Sequence, residues 1–170
     1  MKVVAVSGVP GTGKTTIAKK LAKRLNFYYL DVNMLIAKNK LYEGYDKKRK
    51  TKIVDIKKLN KSLIKEIKSL KNNTNQIKRF NGAIIDSHLS HYLPRRYADF
   101  CIVTKCEIKE LSKRLKKKKF HKNKIQENLQ AEIFDVCYSE AVRRKHKVIA
   151  VDTTKGFNIN KIAKQMKYKC

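Results

Sequence analysis

One eight-residue stretch constrains this chain more than any other: Gly8-Val9-Pro10-Gly11-Thr12-Gly13-Lys14-Thr15. It matches G-x-x-x-x-G-K-[ST], and its flanks fit the same reading. Residues 2–7 before it are short, apolar and β-branched, as a buried parallel strand requires. After it, Ile17, Ala18, Leu21, Ala22 and Leu25 recur on one helical face. A strand, a glycine turn and a helix start in that order form an anion cradle. Successive backbone N–H groups point inward, and the helix dipole adds about half a positive charge. Lys14 is placed to reach the β- and γ-phosphates of a nucleoside triphosphate, and the Thr15 hydroxyl to face Mg²⁺. A bare glycine turn is the bland alternative; the flanking strand and helix favour an ATP or GTP site.

At 170 residues and 19.8 kDa the chain fits one domain, spanning residues 1–170. A chain of this size buries roughly 70% of its unfolded surface. It contains no apolar run long enough to cross a membrane. The first residues run directly into the expected strand, leaving no room for a secretory leader. Cys101, Cys106, Cys137 and Cys170 form no C-x-x-C pair, and Cys101 and Cys137 read as small core residues. An intracellular, cytoplasmic, reduced protein is expected.

The net charge is +28, from 42 Lys and Arg against 14 Asp and Glu. Such a surface attracts polyanions, rRNA foremost. Lysine is spread over every polar face, so a lysine-biased genome or a heat- or salt-adapted proteome gives the same composition. Both readings stand on composition alone.

Along the chain, residues 27–30 read as a second strand ending at Asp31, and 32–38 as a short helix. Residues 41–46 are polar, and 47–52, without apolar period, read as a mobile loop. A helix starts at Asp55 with Ile56, Leu59, Leu63, Ile67 and Leu70 inward, and residues 72–75 break it. Strands are expected at 82–86, 98–104 and 147–152. Helices are expected at 107–117, from Ile125 with Leu129, Ile133, Val136 and Cys137 inward, and around Ile159, Ile162, Ala163 and Met166. The alternation predicts an α/β fold with a five-stranded parallel sheet covered by helices on both faces.

Asp86 closes a strand, where a carboxylate can hold Mg²⁺ through water. His88 follows two residues later, at the carboxyl end of the sheet where ligands of such folds bind. A loop imidazole satisfied by backbone is the plain alternative. The basic run at 114–124 is either a solvated face or a lid that carries positive charge over a triphosphate.

Several pieces together resemble the adenylate kinase isoenzyme 6 family, also called the coilin-interacting nuclear ATPase family. They are the loop 8–16, Leu41-Tyr42-Glu43-Gly44-Tyr45-Asp46, Asp86-Ser87-His88, Pro94-Arg95-Arg96-Tyr97, Arg114-Leu115 and Asn128-Leu129-Gln130-Ala131-Glu132-Ile133-Phe134. The resemblance covers nearly the whole chain. It implies a P-loop nucleoside monophosphate kinase fold, with a monophosphate-binding segment at about 31–54 and a short lid at about 117–127. ATP falls to Gly11, Gly13, Lys14, Thr15, Thr16 and Lys118, and Mg²⁺ to Thr15 and, through water, Asp86.

Lys14, Asp86 and His88 are the expected catalytic residues, with His88 orienting water for hydrolysis. Arg96 is a candidate grip for the acceptor phosphate, and Arg114 for the transferred group. The resemblance implies adenylate kinase and ATPase activity, AMP or another monophosphate as acceptor, and a role in small-subunit rRNA maturation through ribosomal protein S11. Two positions depart from the pattern. Lys118 stands where relatives carry a lid arginine, keeping the charge but losing the planar fork. An arginine expected near Ala37 is missing, with Lys38 beside it. The short lid carries no cysteines, so no structural zinc is expected. An ATP-driven assembly switch is the rival reading, and a basic RNA binder with a vestigial loop is disfavoured by intact Thr15 and Asp86.

Overall fold

The computed structural model of the chain describes residues 1–46 and 51–168. Strand β1 (Lys2–Gly8) leads through the glycine turn into α1 (Lys14–Leu25), followed by β2 (Phe27–Asp31) and α2 (Val32–Lys38). A hairpin of β3 (Tyr42–Asp46) and β4 (Thr51–Val54) precedes α3 (Ile56–Asn72) and α4 (Thr74–Arg79). Then come β5 (Gly82–Asp86), two 3₁₀ turns (Ser90–Tyr92 and Arg95–Tyr97), β6 (Phe100–Lys105) and α5 (Ile108–Lys117). The chain continues through α6 (Lys122–Ile133), α7 (Val136–Arg143), β7 (Val148–Asp152) and α8 (Ile159–Tyr168).

Five strands form one parallel sheet in the order β2-β5-β1-β6-β7. Because side chains alternate across a strand, β1 sends Val3 and Ala5 to one face and Val4 and Val6 to the other. On the first face Leu35 and Ile36 of α2, Leu59, Leu63 and Ile67 of α3, and Ala141 of α7 cover the sheet. On the second, Ile17, Ala18 and Leu21 of α1 pack with Ile162 and Met166 of α8. β1 and β5 are buried on both faces, which explains their unbroken apolar runs. The expected five-stranded sheet, covered on both sides, is the one observed.

The differences from expectation lie outside this core. Residues 41–46 are not simply a polar stretch, because β3 pairs antiparallel with β4, Tyr45 opposite Lys52 and Asp46 opposite Thr51. This two-stranded sheet exposes Tyr42, Tyr45 and Ile53, so its sequence carries no alternation of apolar and polar residues to reveal it. Of the loop expected at 47–52, residues 47–50 lie outside the described residues, and 51–52 belong to β4. α4 follows α3 within the stretch where asparagines at 72, 73 and 75 were expected to end helical structure. β6 begins at Phe100 rather than Ala98 because at Asp99 the side chain replaces the backbone acceptor: its Oδ2 accepts the Val3 N–H at 2.7 Å, while its own N–H donates to the Val3 carbonyl at 2.8 Å.

The long helix expected from Ile125 begins earlier and divides. α6 starts at Lys122, and Asp135 takes a left-handed conformation (φ 52°) between α6 and α7. Asp is among the few residues that adopt this state readily. The bend lets α6 run beside α5 while α7 turns back onto the sheet. It also turns Ile133 and Val136 outward, so both are exposed rather than buried.

Candidate active site

The phosphate loop is held open by its neighbours. Gly8 has φ +136°, and a Cβ there would lie 2.6 Å from the Thr104 carbonyl oxygen. Gly11 has φ +93°, and its missing Cβ makes room for Leu111 Cδ1 at 2.9 Å and Leu115 Cδ2 at 3.0 Å. Glycine alone accepts both demands. Thr12 Oγ1 donates to the Val9 carbonyl at 2.7 Å and lies 2.6 Å from Thr104 Oγ1. Thr153 Oγ1, from the end of β7, lies 2.8 Å from the Thr12 carbonyl and 3.0 Å from that of Lys105. The loop is therefore fastened to the ends of β6 and β7.

Lys14 Nζ donates to the Val9 carbonyl at 2.9 Å, across the loop's mouth. Burial pushes its ammonium down to about 8, with Lys118 adding to the fall while Cys137, Asp86 and Glu132 oppose it. Asp86 ends β5 almost fully buried, and Asp86 Oδ2 accepts the Tyr29 hydroxyl at 2.8 Å. Burial and then this bond push Tyr29 far above its ordinary value, so it stays a donor. Thr15, exposed at the start of α1, and Asp86 carry hard oxygens of the kind Mg²⁺ takes.

His88 follows on an exposed turn. Although its side chain meets solvent, its imidazole is pushed down to about 4, first by desolvation and then by Lys14, His91 and Lys124. It is neutral at pH 7.

Beside the loop lies a cavity of about 610 Å³, lined by Gly11, Gly13, Thr16, Arg114, Lys117, Lys118, Thr153, Gly156 and Phe157. Arg114 is committed to its wall. Its Nε donates to Glu110 at 2.9 Å, Nη1 to Thr153 Oγ1 at 3.2 Å, and Nη2 to the Thr153 and Thr154 carbonyls at 2.9 and 3.1 Å. Lys118 caps the C-terminus of α5, where the last turn already holds Arg114, Lys116 and Lys117. Arg96 sits apart in the second 3₁₀ turn, outside the cavity lining, with its guanidinium 5.1 Å from the Tyr97 ring centre.

Thr153, Gly156 and Phe157 escaped sequence reasoning. Their only signal is the Asp152-Thr153-Thr154-Lys155-Gly156 turn after the last strand. Glu132, part of the 128–134 motif, is buried, and its Oε1 accepts the Cys106 N–H at 2.9 Å. Lys105 pairs with Asp135 beside it. These two contacts join the root of α5 to the far end of α6. Among the described residues no cluster of three or more His, Cys, Asp or Glu side chains is arranged to hold a metal, and no helix is long and apolar enough to cross a membrane.

A five-stranded parallel sheet with strand order β2-β5-β1-β6-β7 and a Gly-x-x-x-x-Gly-Lys-Thr turn after its central strand defines a P-loop kinase. Residues 4–135 match the AAA domain family. A protein of Methanocaldococcus jannaschii named "Putative adenylate kinase" is 37% identical over 89% of this chain and 76% of its own length. The "Adenylate kinase isoenzyme 6 homolog FAP7" of Saccharomyces cerevisiae is 33% identical over 88% of this chain and 71% of its own. The chain belongs to the adenylate kinase isoenzyme 6 family of kinases. Among solved structures, deoxyadenosine kinase from M. mycoides with bound dATP shares the fold, with a TM-score of 0.53 at 18% identity over 99% of each chain.

Proposed function

We propose that this enzyme transfers the γ-phosphoryl group of ATP to a nucleoside monophosphate, AMP first, and also hydrolyses ATP. The observation that supports the reading is the glycine turn after β1, with Lys14 opening α1, Asp86 ending the neighbouring strand β5, and a cavity of nucleotide size lined by Gly11 and Gly13. Phe157 offers the cavity an apolar wall for a base, and Gly11, Gly13 and Thr16 line the phosphate side. The acceptor's phosphate is already an anionic nucleophile, so transfer needs alignment, charge neutralisation and exclusion of water rather than a strong base.

In this reading Lys14 exchanges the Val9 carbonyl for the β/γ-phosphates. Thr15 and, through water, Asp86 would hold Mg²⁺, which would screen phosphate charge. Residues 117–127 act as the lid, bringing Lys118 over the triphosphate, and residues 31–54 receive the monophosphate. Arg96 grips the acceptor's phosphate once that segment closes. Arg114 acts from the cavity wall, toward the transferred group, when its bonds to Thr153 and Thr154 loosen. Hydrolysis differs because water must be oriented. Neutral His88 carries a free lone pair for that task.

The test supplies purified protein with Mg-ATP, with and without each monophosphate, and scores ADP, the new diphosphate and free phosphate separately. AMP-dependent formation of two ADP supports the reading; free phosphate with no diphosphate from any acceptor refutes it. The net charge of +28 favours a second role for the same molecule, as an ATP-driven switch that holds ribosomal protein S11 or small-subunit rRNA. Binding to S11 and cognate rRNA over scrambled RNA, at physiological salt and altered by ATP, is its test. Equal binding of every RNA, with S11 ignored and nucleotide without effect, assigns the charge to background composition.

A further inference from the structure

Behind the phosphate loop runs a buried polar chain that the proposed chemistry leaves unused. Ser7, the residue before Gly8, is fully buried, and its Oγ lies 2.6 Å from His91 Nδ1. His91, also buried, places Nε2 2.8 Å from Glu140 Oε2 on α7. Ser7 Oγ lies 3.3 Å from the His88 carbonyl oxygen as well. The turn between Asp86 and His91 is otherwise fixed to β1 by two bonds to the Val6 carbonyl, from Ser87 N at 3.2 Å and Ser90 Oγ at 2.8 Å.

The proton positions follow from the charges. Burial raises the Glu140 carboxyl, but hydrogen bonds from Tyr92 and His91 more than offset this and hold it below its usual value, so it is ionised. Burial keeps His91 neutral against the pull of Glu140. A neutral imidazole facing a carboxylate carries its proton on Nε2. Nδ1 is then bare and must accept the Ser7 O–H. The Ser7 hydroxyl hydrogen therefore points at His91 and not at the His88 carbonyl. Ser7 is no hydrolytic nucleophile, since nothing can approach an oxygen enclosed on every side.

We propose that His91 is a positioning residue, which by joining Ser7 to Glu140 locks the root of the phosphate loop, the turn bearing His88 and helix α7 into one geometry. This rests on the reading of His88 as the group that orients water. Each end of the relay fastens a different element, and a displacement near 1 Å at a reacting group can cost about a hundredfold in rate.

Ser7→Ala and His91→Gln are expected to lower kcat for ATP hydrolysis by about tenfold or more, with KM for ATP little changed and AMP phosphorylation less affected. His91→Asn sets an amide where Nδ1 stood, keeps a partner for Ser7, and should recover most of the rate lost in His91→Gln. Nitrogen-15 NMR of the wild-type protein should show His91 protonated at Nε2 and bare at Nδ1 at pH 7. The proposal is overturned if folded Ser7→Ala and His91→Gln hydrolyse ATP at the wild-type rate, or if His91→Asn does no better than His91→Gln. A proton on Nδ1, or equal loss of transfer and hydrolysis, overturns it too. His88→Ala separates the two readings. If it hydrolyses normally, the role of His88 fails; if it is impaired while Ser7→Ala is not, the relay alone fails.

Discussion

Raising the pH should weaken the enzyme's hold on ATP in a range where an ordinary lysine would show nothing. Lys14 is held at about 8, chiefly by burial, against a usual value of 10.5. At pH 7 about nine-tenths of the free protein carries the ammonium; at pH 9 about one-tenth does. The neutral amine keeps the loop's backbone N–H groups but loses the point charge aimed at the β/γ bridge. The affinity for ATP should thus fall about tenfold between pH 7 and 9 and continue down by a decade per unit. Calorimetric titration with ATP in EDTA measures this without a metal contributing. Bound phosphate raises the amine's pKa again, so kcat should stay flatter than kcat/KM over the same range. Lys14→Arg, whose guanidinium does not deprotonate, should flatten the affinity profile even where it lowers the affinity itself. An affinity constant from pH 7 to 9.5 in the native protein, or a Lys14→Arg profile as steep as the native one, would refute the argument.

His88→Ala should cost hydrolysis on the order of a hundredfold and AMP phosphorylation much less; comparing free phosphate with ADP yield checks it. Gly11→Ala combines a positive φ with a Cβ pressed on Leu111 and Leu115, so the melting temperature should drop by an amount reflecting about 2 kcal/mol or more. Acid should destabilise the fold before its carboxylates titrate. Buried His91 and His146 are both held below their usual value, so their contribution is complete above about pH 6.5 and is lost as pH falls toward their folded values. Thermal melts between pH 7.5 and 5 should show that decline, and an unchanged melting temperature at pH 5 would contradict it.

The sheet was legible because its inner strands β1, β5 and β6 are buried on both faces and so read as apolar runs; residues 82–86 were placed to the residue. The loop was legible because an anion cradle needs glycines at fixed offsets and a lysine at its end. The pairing of β3 with β4 was not, since an exposed ribbon imposes no alternation. The α6–α7 break was hidden as well. Asp135 turns the chain through its backbone, and the apolar pattern on either side continues as if one helix ran through. Arg114 was found by its place in the motif, but its bonds to Thr153 and Thr154 depend on a turn 39 and 40 residues away. The relay through Ser7, His91 and Glu140 spans 84 and 49 residues. No local spacing announces such pairs; only the parallel crossovers bring them together.

The ribbon of β3 and β4 shares no strand pairing with the central sheet among the described residues. A two-stranded ribbon alone is marginal in water, and this one leaves Tyr42, Tyr45 and Ile53 open to solvent. Val54 packs against the cluster beneath and Glu43 pairs with Lys58 of α3, but the three exposed apolar side chains can be exchanged without disturbing the sheet or the phosphate loop. Under the proposal that residues 31–54 receive the monophosphate, the choice of acceptor can drift in descent while the phosphate loop stays fixed. Relatives with the same loop and a different ribbon are where a change of substrate should first be sought.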